Sequence, residues 1–191
     1  MIRDIFCKSI ELKQHLLANE DFFKSIERAV KIIVDCIKNG NKVLIMGNGG
    51  SAADAQHFAG EFVNRFLIER APLPAISLST DTSVITCIGN DYSFEEIFKK
   101  QVEAIGCRGD ILFGITTSGN SANIIQAFKV GKERGLLNIG LLGKDGGIAK
   151  DICDISIIVP SNSTPRIQEV HITVIHIICE IVEREINLKG A

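Results

Sequence analysis

The sequence predicts an α/β protein with an open, parallel sheet of about five strands and helices on both faces. Short apolar runs alternate with longer stretches of helical period from residue 42 to residue 186. Loops rich in glycine and small polar residues separate these segments, as in βαβ units. Two further stretches of helical period precede the first strand. A sheet of this kind binds ligands at the carboxyl ends of its strands.

Residues 1–40 are predicted to form an extension of two amphipathic helices. Apolar side chains recur near helical spacing in residues 2–17, and more regularly from Ile26 to Ile37. Asn19 can cap the second helix, and Gly40 suits the left-handed residue that ends it. These helices must bury their apolar faces against the sheet or against another subunit.

The remaining elements are predicted in strict order along the chain. They are a strand at 42–46, a helix at 52–67 capped by Ser51, a strand at 75–78, a short helix from Asp81 broken by Gly89-Asn90-Asp91, a helix opened by a Ser93–Glu96 capping box and closed by Gly106, a strand at 110–115, a helix at 122–134, a strand at 137–142, a short helix, a strand at 155–159, and a final helix at 166–186 opened by Pro165. Because no linker or low-complexity stretch interrupts them, residues 1–191 are predicted to form a single domain.

Composition and charge exclude several classes of function. The chain has 191 residues, is 46% hydrophobic and carries a formal charge of −2, so it can bury a sizeable core, with some apolar surface left for an oligomer. The charge balance and the lack of a long basic run argue against nucleic-acid binding. No signal peptide and no membrane span are predicted. The six cysteines are scattered without a CxxC pair, which is typical of reduced thiols in a cytoplasmic protein.

The segment from Gly47 to Glu61 combines an anion-binding turn with two reactive side chains. Its sequence GNGGSAADAQHFAGE follows a buried strand, and its glycines allow a tight turn before a helix whose free N–H groups favour an anion such as a phosphate. His57 and Glu61 are four residues apart, so they share one face of that helix. The segment lacks the lysine of a P-loop and the spacing of a dinucleotide fingerprint, and no nucleotide cofactor is predicted.

A second small polar loop, Thr116 to Ser121, follows another predicted strand and opens another helix. Both loops lie at the carboxyl ends of parallel strands, and their hydroxyl groups and glycines favour a phosphorylated ligand.

The final helix carries Gln168, His171 and His176. At helical geometry Gln168 and His176 project about 80° apart, whereas the two histidines project about 140° apart. The histidines are therefore not expected to serve one site. The geometry alone lets Gln168 act with either of them.

Five motifs in one order closely resemble the phosphoheptose isomerases, which belong to the sugar isomerase (SIS) fold: GNGGSAADAQHFAGE, IGNDYSFEEIF, TTSGNSANII, LLGKDGG and PRIQEVHITVIH. The resemblance covers nearly the whole chain. It implies a single SIS domain with a five-stranded parallel sheet in a three-layer αβα arrangement, and a homotetramer with active sites near subunit contacts. The implied reaction converts sedoheptulose 7-phosphate to D-glycero-D-manno-heptose 7-phosphate, a precursor of lipopolysaccharide or capsule heptose.

The resemblance also implies roles for individual residues. Glu61 and His176 match the acid–base pair. His57, Glu61, Gln168 and His176 match the ligands of one zinc ion per subunit, for which the weakly binding glutamine predicts partial occupancy. Substrate contacts are expected at Asn48, Gly49, Gly50, Glu61, Asn90, Asp91, Thr116, Thr117, Ser118, Ser121 and Gln168. The family carries serine in some members at the position of Thr116, which keeps the hydroxyl group.

Two alternatives stay open at this point. One is a non-catalytic SIS-fold protein that associates with the bacterial replication initiator, and the other is an isomerase of a different phosphosugar. The joint presence of Glu61, Gln168 and His176 favours an enzyme. The sequence does not decide between lipopolysaccharide and capsule, the requirement for metal, the product anomer, or which of Glu61 and His176 removes the C1 proton.

Overall fold

Five parallel strands form the central sheet of the protein, which a computed structural model describes over residues 1–187. The strand order is β2-β1-β3-β4-β5. The strands are β1 (Val43–Gly47), β2 (Ala75–Ser77), β3 (Ile111–Thr116), β4 (Leu137–Gly143) and β5 (Ile155–Val159). The helices are α1 (Ile2–Leu17), α2 (Glu20–Lys38), α3 (Gly50–Val63), α4 (Thr82–Asp91), α5 (Lys99–Ile105), α6 (Ala122–Glu133) and α7 (Thr164–Asn187), with 3₁₀ turns at Phe94–Glu96 and Ile148–Asp151. The predicted five-stranded αβα architecture is confirmed.

The sheet is buried on both faces, which explains the continuous apolar runs of its inner strands. β1 and β3 are buried along their whole length, as expected for parallel strands covered by helices. Alternate side chains, such as Ile45 and Phe113, pack with α2, α3 and α7 on one face. Their neighbours, such as Leu44 and Leu112, pack with α4, α5 and α6 on the other.

The two leading helices bury very different fractions of their apolar side chains. The predicted cap of α2 is confirmed, because Asn19 Oδ1 accepts a hydrogen bond from Phe22 N at 3.1 Å, and Gly40 has the expected positive φ of 77°. α2 packs on the sheet beside α7. α1 buries only Leu16. Leu12 is partly buried, and the other large apolar side chains are exposed, namely Ile2, Ile5, Phe6, Ile10 and Leu17.

Two predicted helix starts are wrong. Ser51 does not cap α3: the cap is Gly49, whose φ of 56° suits glycine, and the helix begins one residue before Ser51. α4 passes through Gly89, since a glycine in a helix costs only about 1 kcal/mol, and ends at Asp91, within the predicted break. The Ser93–Glu96 segment forms a 3₁₀ turn with no side-chain cap, and α5 begins later.

α3 also ends earlier than predicted, at Val63. Residues 64–67 leave the helical path because their backbone bonds to a side chain of α7, as described below. Within residues 1–187, no helix is long and apolar enough to cross a membrane.

Candidate active site

Most of the predicted site residues lie at the carboxyl ends of β1 and β3 or on the adjoining part of α7. These strands are neighbours in the sheet, and Gly47 pairs with Ile115. The loop after β1 and the loop after β3 therefore emerge side by side. The amino-terminal half of α7 lies on the same edge, since Ile167 packs against Gly143 at the end of β4.

His57, Glu61 and His176 form one cluster between α3 and α7. The Nε2 atoms of His57 and His176 are 2.9 Å apart, and His57 Nε2 lies 3.5 Å from Glu61 Oε1. The side chain of Glu61 is 23% exposed and that of His57 43% exposed, so substrate can reach both groups. The cluster brings a carboxylate and two imidazoles together for proton transfer. His176 lies in this cluster, whereas His171 is buried in the core.

A buried ion pair between Arg70 and Glu183 supports this cluster. Arg70 and Glu183 have side chains only 2% and 1% exposed, and Arg70 Nε lies 3.1 Å from Glu183 Oε2. Glu183 also accepts hydrogen bonds from three successive backbone N–H groups at residues 66–68. Burial raises the pKa of Glu183, but these N–H groups and Arg70 oppose it and bring the pKa below its ordinary value. Glu183 is therefore a buried carboxylate whose charge is balanced.

The same ion pair connects α3 and α7, the two helices that carry the cluster. Arg70 Nη2 donates to the backbone carbonyl of Glu61 at 2.8 Å, while Glu183 lies two turns beyond His176 on α7. The clamped loop places the ring of Phe66 5.5 Å from that of His176. We call Arg70 and Glu183 the clamp.

Gln168 lies directly against the glycine loop. A side chain on Gly50 would place its Cβ 2.3 Å from Gln168 Nε2. Glycine at position 50 therefore makes room for the Gln168 amide, which sits at the start of α3 on the same edge as the cluster.

Three hydroxyl groups converge in the loop after β3. Thr116 Oγ1 is 3.0 Å from Ser121 Oγ and 3.4 Å from Ser118 Oγ. Ser121 is the N-cap residue of α6, but its side chain makes no capping bond. The free N–H groups of this 12-residue helix and the hydroxyl groups together suit an anion.

The loop after β4 packs directly on this hydroxyl loop. A Cβ on Gly119 would lie 2.0 Å from the Gly146 carbonyl oxygen. Ala149 N donates to Gly119 O at 2.9 Å, and Ile148 N donates to Asn120 Oδ1 at 3.0 Å. The LLGKDGG motif and the two residues that follow it therefore support the hydroxyl loop.

Asn48 pairs with Asn123, a residue that the sequence analysis did not single out. Asn48 Nδ2 donates to Asn123 Oδ1 at 2.9 Å, and Asn123 Nδ2 donates back to Asn48 Oδ1 at 2.8 Å. Asn123 is 2% exposed. The sequence signal that could have identified Asn123 is an amide side chain in the first turn of the helix that follows the hydroxyl loop.

Comparison with known proteins agrees with this arrangement. Residues 7–143 match the model of the SIS domain. The phosphoheptose isomerase of Citrifermentans bemidjiense is 60% identical over 166 residues, which cover 87% of this chain and 86% of that protein. The phosphoheptose isomerase 2 of Campylobacter jejuni is 50% identical, covering 99% and 94% of the two chains. The chain belongs to the phosphoheptose isomerase family of SIS-domain proteins.

A solved structure extends the match to three dimensions. The phosphoheptose isomerase of Neisseria gonorrhoeae superposes with a TM-score of 0.90 at 43% identity, covering 96% of this chain and 97% of that one. As a member of the phosphoheptose isomerase family, the chain is an enzyme of the isomerase class. The non-catalytic alternative is not favoured.

Asn90 and Asp91 lie apart from the other predicted site residues. They occupy the last turn of α4, where Asn90 Nδ2 donates to Asp91 Oδ1 at 2.9 Å and both side chains are exposed. No hydrogen bond or ion pair among residues 1–187 joins them to the cluster. The Thr117 backbone packs against Gly143 at the end of β4, since its carbonyl oxygen would lie 2.3 Å from a Cβ on Gly143.

His171 is a core residue. It is fully buried, and within residues 1–187 neither ring nitrogen has a hydrogen-bond partner. Burial lowers its pKa from 6.5 to about 4, although the nearby Leu142 backbone opposes the shift. His171 is therefore neutral at physiological pH, and it does not join His176.

The predicted zinc ligands fit the metal in donor type. No three His, Cys, Asp or Glu side chains of the described chain already converge on one metal position. Two ligand atoms of a tetrahedral zinc ion lie about 3.3 Å apart. The separations of His57 Nε2 from His176 Nε2 and from Glu61 Oε1 are 2.9 and 3.5 Å, on either side of that value. The donor atoms of His57, Glu61 and His176 thus fit a zinc site in type and in these two separations.

Proposed function

We propose that the protein converts sedoheptulose 7-phosphate to D-glycero-D-manno-heptose 7-phosphate by aldose–ketose isomerisation. The observation that carries the proposal is the meeting of His57, Glu61 and His176 at one edge of the sheet, beside an anion-binding loop. The membership in the phosphoheptose isomerase family supports the choice of substrate.

The reaction transfers one proton between carbons and one between oxygens. A base removes a proton from C1 of the ketose, and the C2 oxygen gains a proton as a cis-enediol forms. The C1 hydroxyl then loses its proton while C2 receives one, which yields the aldose. Glu61 and His176 are our candidates for the acid–base pair, because a carboxylate and an imidazole can both exchange protons near neutral pH.

His57 has a positioning role in this scheme. Its Nε2 atom lies within 2.9 Å of His176 and 3.5 Å of Glu61, so it can orient either group. The phosphate is assigned to the hydroxyl groups of Thr117, Ser118 and Ser121, supported by free N–H groups of α6. The remainder of the substrate is assigned to Asn48, Gly49, Gly50, Asn90, Asp91, Thr116 and Gln168.

We further propose one zinc ion per subunit, held by His57, Glu61, Gln168 and His176. When bound, the ion would act as a Lewis acid that stabilises negative charge on the sugar oxygens. Because an amide oxygen is a weak ligand, we expect partial occupancy. Elemental analysis of protein purified without chelator should detect zinc, and chelator treatment should lower activity. Full activity of metal-free protein would contradict a catalytic role for the ion.

We also propose an oligomeric state, a cellular location and a pathway for the protein. A homotetramer would cover the exposed apolar side chains of α1 and place active sites near subunit contacts. The six cysteines are free thiols in the described chain, which suits a cytoplasmic enzyme. Its product would feed lipopolysaccharide or capsule synthesis.

An isomerase assay tests the substrate proposal. Purified protein should interconvert the two heptose phosphates, and pentose and hexose phosphates of the same configuration should react at least about 10-fold more slowly, since each missing group forfeits binding energy. Faster turnover of a shorter sugar would instead identify an isomerase of another phosphosugar.

A further inference from the structure

The reciprocal pair of Asn48 and Asn123 joins the two ligand-binding loops. Asn48 follows β1 and Asn123 follows β3, and the residues are 75 positions apart in the chain. The two amides exchange hydrogen bonds of 2.9 and 2.8 Å. This contact is made between side chains alone, at the point where the glycine loop and the hydroxyl loop run side by side.

A backbone group determines which way both amides face. Ile124 N donates to Asn123 Oδ1 at 3.0 Å. An N–H group can only donate, so this bond fixes Asn123 with its oxygen towards the α6 backbone and towards Asn48 Nδ2. Asn123 Nδ2 then faces Asn48 Oδ1. The orientation of Asn48 is thus set, through Asn123, by the first turn of α6.

The pairing uses only part of the hydrogen-bonding capacity of the Asn48 amide. A primary amide has two N–H donors and two acceptor lone pairs on its oxygen, and Asn123 takes one of each. Asn48 is only partly buried, so the remaining N–H and lone pair are available to a sugar hydroxyl. If the side chain of Asn48 turned by 180°, donor and acceptor would exchange places.

We propose that Asn123 is a positioning residue that fixes the orientation of the Asn48 amide towards the substrate. The inference rests on the substrate role proposed above for Asn48. Asn123 itself is 2% exposed and acts through Asn48. The required ligand chemistry is a hydroxyl group, which both donates and accepts.

The test is a double-mutant cycle with Asn48→Ala and Asn123→Ser. Serine suits the first turn of a helix but is too short to reach Asn48. We expect Asn123→Ser to lower kcat/KM by about 10- to 100-fold, the scale of a misplaced binding group. The double variant should be no worse than Asn48→Ala alone. A purely structural role for Asn123 would not produce this coupling in kcat/KM.

Asn138→Ser is the matched control. Asn138 is a fully buried asparagine near the amino end of β4, where its Nδ2 donates to Phe128 O at 2.7 Å. Its substitution should lower the melting temperature but leave kcat/KM within about 3-fold of wild type. Additive losses in the cycle, or a wild-type kcat/KM for Asn123→Ser, would overturn the proposal. Failure of the proposed function appears separately, as a wild-type protein inactive on the heptose phosphate, and would remove the inference with it.

Discussion

At the scale of single residues, the contact between His57 and His176 limits the protonation of the site. Their Nε2 atoms are 2.9 Å apart, so only one of the two nitrogens can carry a hydrogen along the line that joins them. A proton gained by one imidazole therefore affects the other. The pair is suited to moving a proton within the site.

Removal of either proposed acid–base group should stop the reaction. We expect Glu61→Gln and His176→Ala each to lower kcat by at least about 10³-fold, because general acid–base catalysis contributes about 10²- to 10⁴-fold. Both variants should keep the wild-type melting temperature within a few degrees. His15→Ala, at an exposed histidine of α1, is the control and should retain full activity. In D₂O, wild type should place deuterium at C2 of the aldose, and near-normal rates in both variants would refute the assignment.

The buried His171 should make stability depend on pH. Its pKa is about 4 in the folded protein and 6.5 in the unfolded chain, so the unfolded state binds the proton first as pH falls. The contribution is complete above pH 6.5 and decreases by about 3 kcal/mol between pH 6.5 and pH 4. Denaturant titrations should show a steeper decline for wild type than for His171→Leu over this range. Parallel curves would show that His171 titrates normally.

At the scale of elements, we have proposed that the hydroxyl loop and α6 act together as the phosphate site. The double variant Ser118→Ala, Ser121→Ala should raise KM by at least about 10-fold, because hydrogen bonds to a charged group contribute about 1.5–3 kcal/mol each. Its melting temperature should change little. Ser25→Ala, at a half-buried serine of α2 whose hydroxyl donates to the Asp21 carbonyl, should leave KM unchanged. An unchanged KM in the double variant would point to the glycine loop after β1 as the phosphate site.

The clamp should contribute strongly to stability. Glu183→Gln leaves the buried Arg70 guanidinium without its counter-charge, and we expect the free energy of unfolding to fall by about 3–5 kcal/mol. Glu180→Gln is the control on the same helix. Its partner Arg184 is 60% exposed, and loss of an exposed pair costs at most about 1 kcal/mol. Denaturant titration measures both, and equal losses would contradict the buried role. We expect kcat to fall in Glu183→Gln as Phe66 and His176 shift.

Most elements could be predicted because their signals are local. The apolar runs of β1 and β3 and the helical period of α2 are read directly from neighbouring residues. The errors arose where tertiary contacts determine where a helix ends. Residues 64–67 continue the helical pattern of α3, yet they form a loop because Glu183, more than 100 positions away, accepts the N–H groups of Phe66, Leu67 and Ile68.

The site residues also divide into those that local spacing predicts and those that depend on tertiary contacts. His57 and Glu61 share a helix, so their spacing predicts that they lie together. The approach of His176 depends on how α7 packs against α3, and only the family resemblance predicted it. Asn123 was missed because the side chain of an asparagine in a first helical turn usually hydrogen-bonds to the backbone. Its pairing with Asn48 depends on the sheet order, which sequence spacing does not contain.

At the scale of the whole molecule, the exposed face of α1 predicts self-association. Phe6 and Ile10 are 69% and 44% exposed, and burying such side chains at subunit contacts is favourable. Analytical ultracentrifugation at micromolar concentration should show a tetramer for wild type and smaller species for the double variant Phe6→Glu, Ile10→Glu. Lys13→Glu, at an exposed charge on the same helix, should remain tetrameric. A monomeric wild type would contradict the proposal.

The contact between Gly119 and Gly146 restricts the mutations that the chain can accumulate. When two side chains clash, trimming either one relieves the clash, so a damaging substitution often has a second-site suppressor. A side chain at residue 119 instead meets the Gly146 carbonyl oxygen at 2.0 Å, and residue 146 has no side chain to trim. A saturation library should therefore recover glycine alone at position 119, and no compensating change at position 146 should widen that choice.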